Sequence, residues 1–207
     1  MVRRTKEDSQ ETRLAIIAAA RAVFHKHGVT RTTMEQIATA AGVTRGAIYW
    51  HFTDKTALFY AMREQVTLPL MDRTSLELLG EKACDPLQRI ENFLSAVMEA
   101  ITGCENVRGT FEIMNFKCEY VDELRHELVA CRAVHHELLA KFTSLYREAQ
   151  RATLLRPGLT PDIAAADTLV FSFGLIRLWL MDEDGTLVRN RVAKLIAAHV
   201  KNHRAII

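Results

Sequence analysis

Residues 33–55, with the sequence TMEQIATAAGVTRGAIYWHFTDK, constrain the fold of this chain more than any other segment. A helical pattern runs over Met34–Ala40, stops at Gly42, and is followed by a second helical pattern over Arg45–His51. Two short helices joined by a tight glycine turn predict a helix-turn-helix. The second helix of such a unit can enter the major groove of DNA and present its N-terminal residues to the base edges.

Capping residues mark the starts of both short helices. Thr32, with Glu35 three residues later, predicts a capping box for the first helix, and Thr44 predicts the N-cap of the second. Ile48 and Phe52 are expected to face the core. Between and beside them, Tyr49 and His51 are expected to be exposed, where they can reach a phosphate.

The rest of the chain is also predicted to be helical. Apolar periodicity and the positions of glycine and proline predict further helices over residues 10–27, 55–72, 86–102, 106–120, 121–155, 161–181 and 187–203. Only 9 Gly and 4 Pro occur in 207 residues, which argues against a many-stranded β protein. We therefore predict an all-α fold, with a domain boundary after Lys55.

Several protein classes are excluded by composition. Thr168–Met181, the longest stretch with little charge, has 14 residues and contains Arg177, so it is expected to be too short and too polar for a membrane span. The first residues lack the apolar core of a secretory signal. Cys84, Cys104, Cys118 and Cys131 form no C-x-x-C pair and indicate no disulfide framework. These features predict a reduced, cytoplasmic protein with no membrane partner.

Charge is distributed unevenly along the chain. Residues 1–55 hold nine Lys or Arg against five Asp or Glu, whereas the formal net charge of the whole chain is only +2. A basic N-terminal region followed by a slightly acidic remainder indicates that one end of the molecule binds a polyanion. Together with the helix-turn-helix pattern, this charge favours double-stranded DNA as the partner.

The segment AGVTRGAIYWHFTDK is similar to the signature of the TetR family of bacterial regulators. The resemblance extends to MVRRTK and ETR near the N-terminus and to EIMNFKCEYVDEL at residues 112–124, which resemble the AcrR-like subgroup that represses multidrug efflux operons. The resemblance implies a three-helix DNA-binding domain at residues 1–55. It also implies a larger helical domain at residues 56–207 that binds a ligand and forms a homodimer through its last two helices.

Eight residues of this chain fall on positions that contact DNA in similar repressors. The resemblance implies that Arg45 and Gly46 read bases, because Arg45 can grip a guanine edge and the small Gly46 allows close approach. Phosphate contacts by Tyr49, His51 and Lys55 would fix the register. The DNA-binding residues predicted in this way are Thr33, Thr44, Arg45, Gly46, Tyr49, Trp50, His51 and Lys55.

Apolar patterning supports the implied dimer. Residues 168–181 are apolar nearly all round, which predicts a helix buried on more than one side. The last predicted helix carries an apolar stripe that includes Leu195, Ile196 and Val200. A monomer core would explain the same pattern without a partner subunit.

A ligand pocket is expected where large apolar side chains surround a few polar groups, a composition that suits amphipathic, drug-like molecules. On the segment 106–120, Asn115 is an isolated amide among apolar neighbours. Each member of the set could equally be plain core. The predicted ligand-binding residues are Phe93, Val97, Phe111, Met114, Asn115, Cys118, Phe142, Ser172, Phe173 and Ile176.

Several histidine, glutamate and cysteine residues raise the question of a metal site, an enzyme or a redox sensor. Glu123 and His126 have the E-x-x-H spacing of di-iron bundles but lack a second such motif, and His135 and His136 are adjacent, so their rings point apart. No nucleophile motif or phosphate loop is present, so we predict no enzyme, no cofactor and no metal site. A redox-sensing repressor that uses Cys118 or Cys131, and a TetR-type regulator of metabolic genes, remain alternatives to a drug-responsive repressor.

Overall fold

The computed structural model describes residues 6–79, 85–121 and 124–206, and in residues 73–79 it describes the backbone only. Every regular element of more than three residues in these ranges is helical, which confirms the predicted all-α fold. A π-helical turn over Ile113–Lys117 continues the sixth helix, and a short 3₁₀ turn precedes the ninth. The helices are α1 (Lys6–His27), α2 (Met34–Ala40), α3 (Arg45–His51), α4 (Lys55–Leu79), α5 (Pro86–Gly103), α6 (Glu105–Glu112), α7 (Arg125–Arg151), α8 (Pro161–Met181) and α9 (Val192–His203).

The capping box predicted at Thr32 and Glu35 is wrong by one residue. Thr33 is the N-cap of α2, and its hydroxyl accepts a hydrogen bond from the Gln36 amide at 3.2 Å while Gln36 Oε1 accepts from the Thr33 amide at 2.9 Å. Thr32 is buried and its hydroxyl donates to the Gly28 carbonyl instead, at 2.7 Å. The predicted three-residue spacing between the cap and its N3 partner is confirmed. The cap is Thr33 because Thr32 is buried in the folded unit.

Several helix ends differ from the predicted ones, two of them for clear local reasons. α7 stops at Arg151, before the Pro157–Gly158 turn, because Thr153 adopts the left-handed conformation with φ 58°. The predicted start of the last helix at Leu187 is also wrong. The amides of Leu187, Val188 and Arg189 bind the Asp182 carboxylate, so regular α-helix begins only at Val192. α1 begins earlier than predicted and α4 ends later.

The chain divides into two compact units that are interleaved along the sequence. Unit 1 comprises residues 1–69 and 104–125, and unit 2 comprises residues 70–103 and 126–207, each described where the structure describes it. The predicted domain boundary after Lys55 stays a prediction.

Unit 1 has an apolar core between α1, α2, α3 and the start of α4. Phe24 and Phe59 are fully buried and meet edge to face, with ring centroids 6.2 Å apart. Ile48 and Phe52 are buried, as predicted, whereas Leu14 on α1 is 41% exposed. Two residues from beyond α5, Ile113 and Leu124, complete this core.

In unit 2, α9 packs against both α5 and α8. By length and composition α8 passes as a membrane span, so the 14-residue length argument made from the sequence is wrong. Its buried side chains are those of a helix in a protein core: Ala164, Ala165, Leu175 and Ile176 pack inward. The opposite face stays exposed, with Val170 at 72% and Met181 at 55%. Within the single chain α8 is therefore buried on one side, and its predicted burial on more than one side, which was made for a dimer, stays a prediction.

Candidate nucleic-acid interface and ligand-binding residues

The helix predicted to read DNA, α3, begins with a full side-chain cap. The Thr44 hydroxyl accepts a hydrogen bond from the Ala47 amide at 3.2 Å, and Gly42, with φ 65°, makes the turn that precedes it. Ile48 is the buried anchor of the helix. Because one face of α3 is fixed in the core of unit 1, the opposite face has a defined orientation toward solvent.

The eight predicted DNA-binding residues all lie in unit 1. Thr33, Thr44, Arg45, Gly46, Tyr49 and Trp50 are exposed, and His51 and Lys55 are half-buried. Trp50 is the most exposed large apolar residue of the two helices, at 74%, and its ring meets His51 at 4.6 Å. The Arg45 guanidinium lies over the Tyr49 ring, 5.8 Å from its centroid, which places a cation on an aromatic face one helical turn away.

Gly46 is predicted to contact DNA, and the fold itself does not require a glycine at this position. A Cβ atom built on Gly46 would meet nothing within 4 Å, and Gly46 does not have a positive φ. The fold of unit 1 therefore does not need glycine at this helical position, where glycine is less favourable than alanine. A close approach by DNA would account for it.

Lys55 has a structural bond as well as a predicted phosphate contact. Its ammonium group donates to the Thr30 carbonyl at 3.0 Å. The N-terminus of α4 is also occupied, because Asp54 Oδ1 accepts from the Ala57 amide at 2.7 Å. The negative charge of Asp54 makes the start of α4 poorly suited to a phosphate.

Segment 104–125 makes three polar contacts inside unit 1, two with α1 and one with Val29, just after the end of α1. Arg21 Nε donates to the buried Thr110 hydroxyl at 3.1 Å, and Glu112 lies 2.6 Å from His25. The Val29 amide donates to the carbonyl of Lys117 at 2.9 Å, at the end of the π-helical turn. Burial lowers the pKa of the Arg21 guanidinium, and Gln65 accepts a second hydrogen bond from it. These contacts could not be predicted from the sequence, because none of them produces a local pattern of residues.

Four predicted ligand-binding residues lie on that same segment. Met114 and Cys118 are partly buried and pack against the apolar core of unit 1. Phe111 and Asn115 are half-buried, and the Asn115 amide donates to the Phe111 carbonyl at 2.9 Å within its own helix. A groove of about 550 Å³ in this unit is lined by residues of α1 and α2 and by Thr33, the N-cap of α2. None of the four predicted ligand-binding residues of this segment lines the groove.

The other six predicted ligand-binding residues lie in unit 2. Phe93 and Phe142 are buried and meet edge to face at 5.4 Å. Ser172 and Ile176 are buried on α8, and Val97 is half-buried. Phe173 is 40% exposed and packs on the His135 ring at 4.4 Å. The role of all ten residues in ligand binding stays a prediction.

A buried polar network in unit 2 was not anticipated from the sequence. The Tyr146 hydroxyl lies 2.7 Å from both the Thr168 hydroxyl and His203 Nδ1, and Thr168 Oγ1 lies 2.9 Å from His199 Nε2. His203 Nε2 lies 2.8 Å from a carboxylate oxygen of Asp167. The four-residue spacing of His199 and His203 is a local signal in the sequence that places both on one face of a helix. Glu123 of that E-x-x-H motif lies outside the described residues.

Two family matches account for most of the chain. Residues 16–62 match the family described as "Bacterial regulatory proteins, tetR family", and residues 85–204 match the "MAATS-type transcriptional repressor, C-terminal region". This chain belongs to the TetR family. It is therefore a TetR-family transcriptional regulator and not an enzyme, as predicted.

Individual relatives of this TetR-family regulator match along nearly its whole length. The transcriptional repressor BepR of Brucella suis is 32% identical over 204 residues, which cover 99% of this chain and 97% of that protein. The crystal structure of NalD, the secondary repressor of the MexAB-OprM multidrug efflux pump in Pseudomonas aeruginosa, has a TM-score of 0.81 at 34% identity, covering 95% and 98% of the two chains.

A ligand-bound structure is also similar to this regulator. The complex of SmeT with triclosan has a TM-score of 0.79 at 29% identity, covering 94% of this chain and 92% of that one. SmeT is the repressor of the Stenotrophomonas maltophilia multidrug efflux pump SmeDEF. The predicted similarity to the AcrR-like efflux-pump repressors is thus confirmed.

Proposed function

We propose that this protein is a cytoplasmic, ligand-responsive repressor that binds a palindromic operator as a homodimer and controls a multidrug efflux operon. The exposed row of donors on the capped helix α3 is the observation that carries the proposal. Its likeness to NalD and SmeT, each a repressor of a multidrug efflux pump, supports the choice of target. The SmeT complex with triclosan supports a small aromatic or amphipathic inducer.

The DNA-binding part is tested by selecting bound duplexes from a random library at near-physiological salt. A dimer with one reading helix per subunit should enrich a palindrome whose half-sites lie about one helical turn apart, or a multiple of it. Arg45→Ala is expected to cost ~1–3 kcal/mol of binding free energy and to relax selectivity at one base per half-site. No enriched palindrome would contradict the proposal.

Gly46→Ala is the sharpest variant for this interface. Alanine should leave unit 1 as stable or stabilise it by up to ~1 kcal/mol, because it favours the helix and meets no neighbour. The added methyl group should nevertheless weaken operator binding, since it occupies the space that DNA needs. Gel-shift and thermal-unfolding measurements on the same variant check that operator affinity falls while stability is unchanged or higher. Unchanged operator affinity would remove Gly46 from the interface.

The proposed dimer rests on the exposed face of α8. Ile163, Val170 and Met181 are 62%, 72% and 55% exposed, and their spacing of seven and eleven residues puts them on one stripe of the helix. Exposed apolar side chains aligned in this way, with the charged Asp167 and Arg177 beside them, indicate an interaction surface. Val170→Glu should convert the dimer to a monomer in analytical ultracentrifugation, whereas Ala166→Glu, beside that stripe, is expected to have the same effect more weakly.

The inducer is proposed to act through segment 104–125. Phe111 and Asn115 are candidate ligand contacts. The same segment is tied to α1 by Thr110 and Glu112, and to the residue Val29 just after α1 by Lys117. A ligand that displaces this segment would therefore displace the N-terminal helices with it. Thermodynamic linkage requires that operator DNA weaken inducer binding by the same factor by which inducer weakens operator binding.

The signal that releases the operator is tested by adding a panel of amphipathic drugs and, in a separate experiment, peroxide. Release of the operator by a drug, with a reciprocal loss of drug affinity in the presence of operator, supports induction by ligand. Release by peroxide alone, reversed by thiol and absent in Cys118→Ser, would favour the cysteine sensor. The Cys118 side chain packs against the core of unit 1, so its oxidation would disturb the DNA-binding unit directly.

A further inference from the structure

Three potential metal ligands of unit 2 converge on one point between α8 and α9. His199 and His203 lie one turn apart on α9, and Asp167 lies on α8. One carboxylate oxygen of Asp167 is 2.8 Å from His203 Nε2 and 3.9 Å from His199 Nδ1. The three candidate ligand atoms all lie within 4.8 Å of one another. Two imidazoles and a carboxylate form a ligand set that Zn²⁺ and related ions accept.

The far nitrogens of both imidazoles already have hydrogen-bond partners. His203 Nδ1 lies 2.7 Å from the Tyr146 hydroxyl, and His199 Nε2 lies 2.9 Å from the Thr168 hydroxyl. Metal-binding histidines usually hydrogen-bond through the nitrogen that does not bind the ion, which fixes the ring and the tautomer. Phe171 adds a further restraint, because its ring stacks on His199 at 4.1 Å with planes 7° apart. Both rings are therefore held with one nitrogen directed at Asp167.

We propose that Asp167, His199 and His203 form a binding site for a divalent transition-metal ion such as Zn²⁺. This site is separate from the proposed DNA and inducer contacts. The two histidines are almost fully buried. The Asp167 side chain is 56% exposed within the single chain and lies beside the α8 stripe of the proposed dimer, so an ion can enter the site of the separated chain from solvent and water can complete a four-coordinate shell.

The separations of the candidate ligand atoms are close to those around a bound metal ion. Ligand atoms around a tetrahedral Zn²⁺ with bonds of ~2.0–2.1 Å lie about 3.4 Å apart. The 3.9 Å separation of Asp167 from His199 is close to this value, and the 2.8 Å contact to His203 must lengthen by about half an ångström.

A bound ion would crosslink α8 to α9. Because the ligands are brought together only in the folded unit, the ion should bind the native state in preference to the unfolded chain and stabilise it. The expected sign is thus a rise in melting temperature with metal concentration. The proposal is independent of whether the regulator responds to drugs, since it concerns only the metal bound by unit 2.

The experiment uses the full-length protein, stripped of metal and titrated with Zn²⁺ and, separately, with Co²⁺ as a spectroscopic probe. We expect a saturable rise in melting temperature with Zn²⁺ and intense visible d–d bands of tetrahedral Co²⁺. Asp167→Asn should weaken Zn²⁺ binding at least tenfold. Asp167 is suitable because its exposed side chain makes the variant able to fold, which its metal-free melting curve checks.

His136→Gln is the matched control, because His136 is an exposed histidine of α7 outside the cluster. This variant should bind Zn²⁺ and Co²⁺ like the unmodified protein. Tyr146→Phe should keep the three ligands but weaken Zn²⁺ binding by about 10–100-fold, through loss of the hydrogen bond to His203. The proposal is overturned if Asp167→Asn binds Zn²⁺ as tightly as the unmodified protein, or if Co²⁺ gives only the weak bands of an octahedral surface complex.

Discussion

The two compact units solve the problem of a stable core in different ways. The core of unit 1 around α1–α3 consists of Phe, Ile, Leu, Met and Val side chains, with Phe24 and Phe59 at its centre. In unit 2 a chain of hydroxyl and imidazole groups runs through the core from Tyr146 to Asp167. An apolar core is held by area and shape, whereas a buried polar core is held by the completeness of its hydrogen bonds.

The two units should therefore lose stability for different reasons when a core residue is substituted. Removing volume from unit 1 leaves a cavity whose cost grows with its size. Removing a single oxygen atom from unit 2 leaves its neighbours without a partner at almost unchanged volume. The chain offers a separate reporter for each unit, because Trp50 lies on α3 of unit 1 and Trp179 lies on α8 of unit 2.

The largest effect is expected from Phe24→Ala in unit 1. Phe24 is fully buried against Phe59, so its removal should cost ~3–5 kcal/mol of unfolding free energy. Denaturant unfolding followed at Trp50 measures the loss. Leu14→Ala on the same helix is the control, because Leu14 is 41% exposed and its truncation should cost far less. Equal losses for the two variants would contradict the described core.

Tyr146→Phe tests the polar core of unit 2. The substitution removes one oxygen that contacts Thr168 and His203 and should cost ~1–3 kcal/mol, although the ring still fills its space. Unfolding followed at Trp179, in the absence of metal, measures this cost. Tyr49→Phe, at an exposed site, should leave stability within ~0.5 kcal/mol. A neutral Tyr146→Phe would remove the distinction between the two cores.

Asp182→Asn should show the smallest effect, and it depends on pH. Burial raises the pKa of the Asp182 carboxyl, but hydrogen bonds from the amides of Arg189, Leu187 and Val188 outweigh this and bring the pKa down to about 2. A lowered folded-state pKa contributes stability above the unfolded value of 3.8, and the contribution disappears as the pH falls toward 2.

Melting curves of the unmodified protein and Asp182→Asn, recorded across this acidic range, check the expectation. At neutral pH the unmodified protein should melt at the higher temperature, and the gap between the two should close as the pH approaches about 2. A gap that is constant with pH would show that the carboxylate charge of Asp182 does not stabilise the turn before α9.

Unit 1 was largely predictable from sequence because its signals are local. The glycine turn at Gly42, the cap at Thr44 and the burial of Ile48 each depend on neighbours within a few residues, and all three were predicted. The cap of α2 was misassigned to Thr32 because two adjacent threonines offer the same local chemistry. Only the bond from Thr32 to the Gly28 carbonyl distinguishes them, and that bond depends on the folded turn.

The polar features of both units could not be predicted because their partners are distant in sequence. Thr110 and Arg21 are 89 residues apart, and Tyr146 and His203 are 57 apart. An amphipathic pattern reports which face of a helix is buried, but not which hydroxyl meets which imidazole. The sequence likewise does not show which faces of α8 are covered within the single chain, because its apolar composition is the same on a face packed in the core and on a face exposed to solvent.

The interleaving of the two units limits how such regulators can be recombined. Engineers who graft the DNA-binding end of one regulator onto the sensor of another cut the chain at a single point. A graft of residues 1–69 would leave Ile113 and Leu124 behind, although both belong to the core around α1. The exchangeable part here is a discontinuous one, and a functional hybrid should also carry residues 104–125 from the same parent.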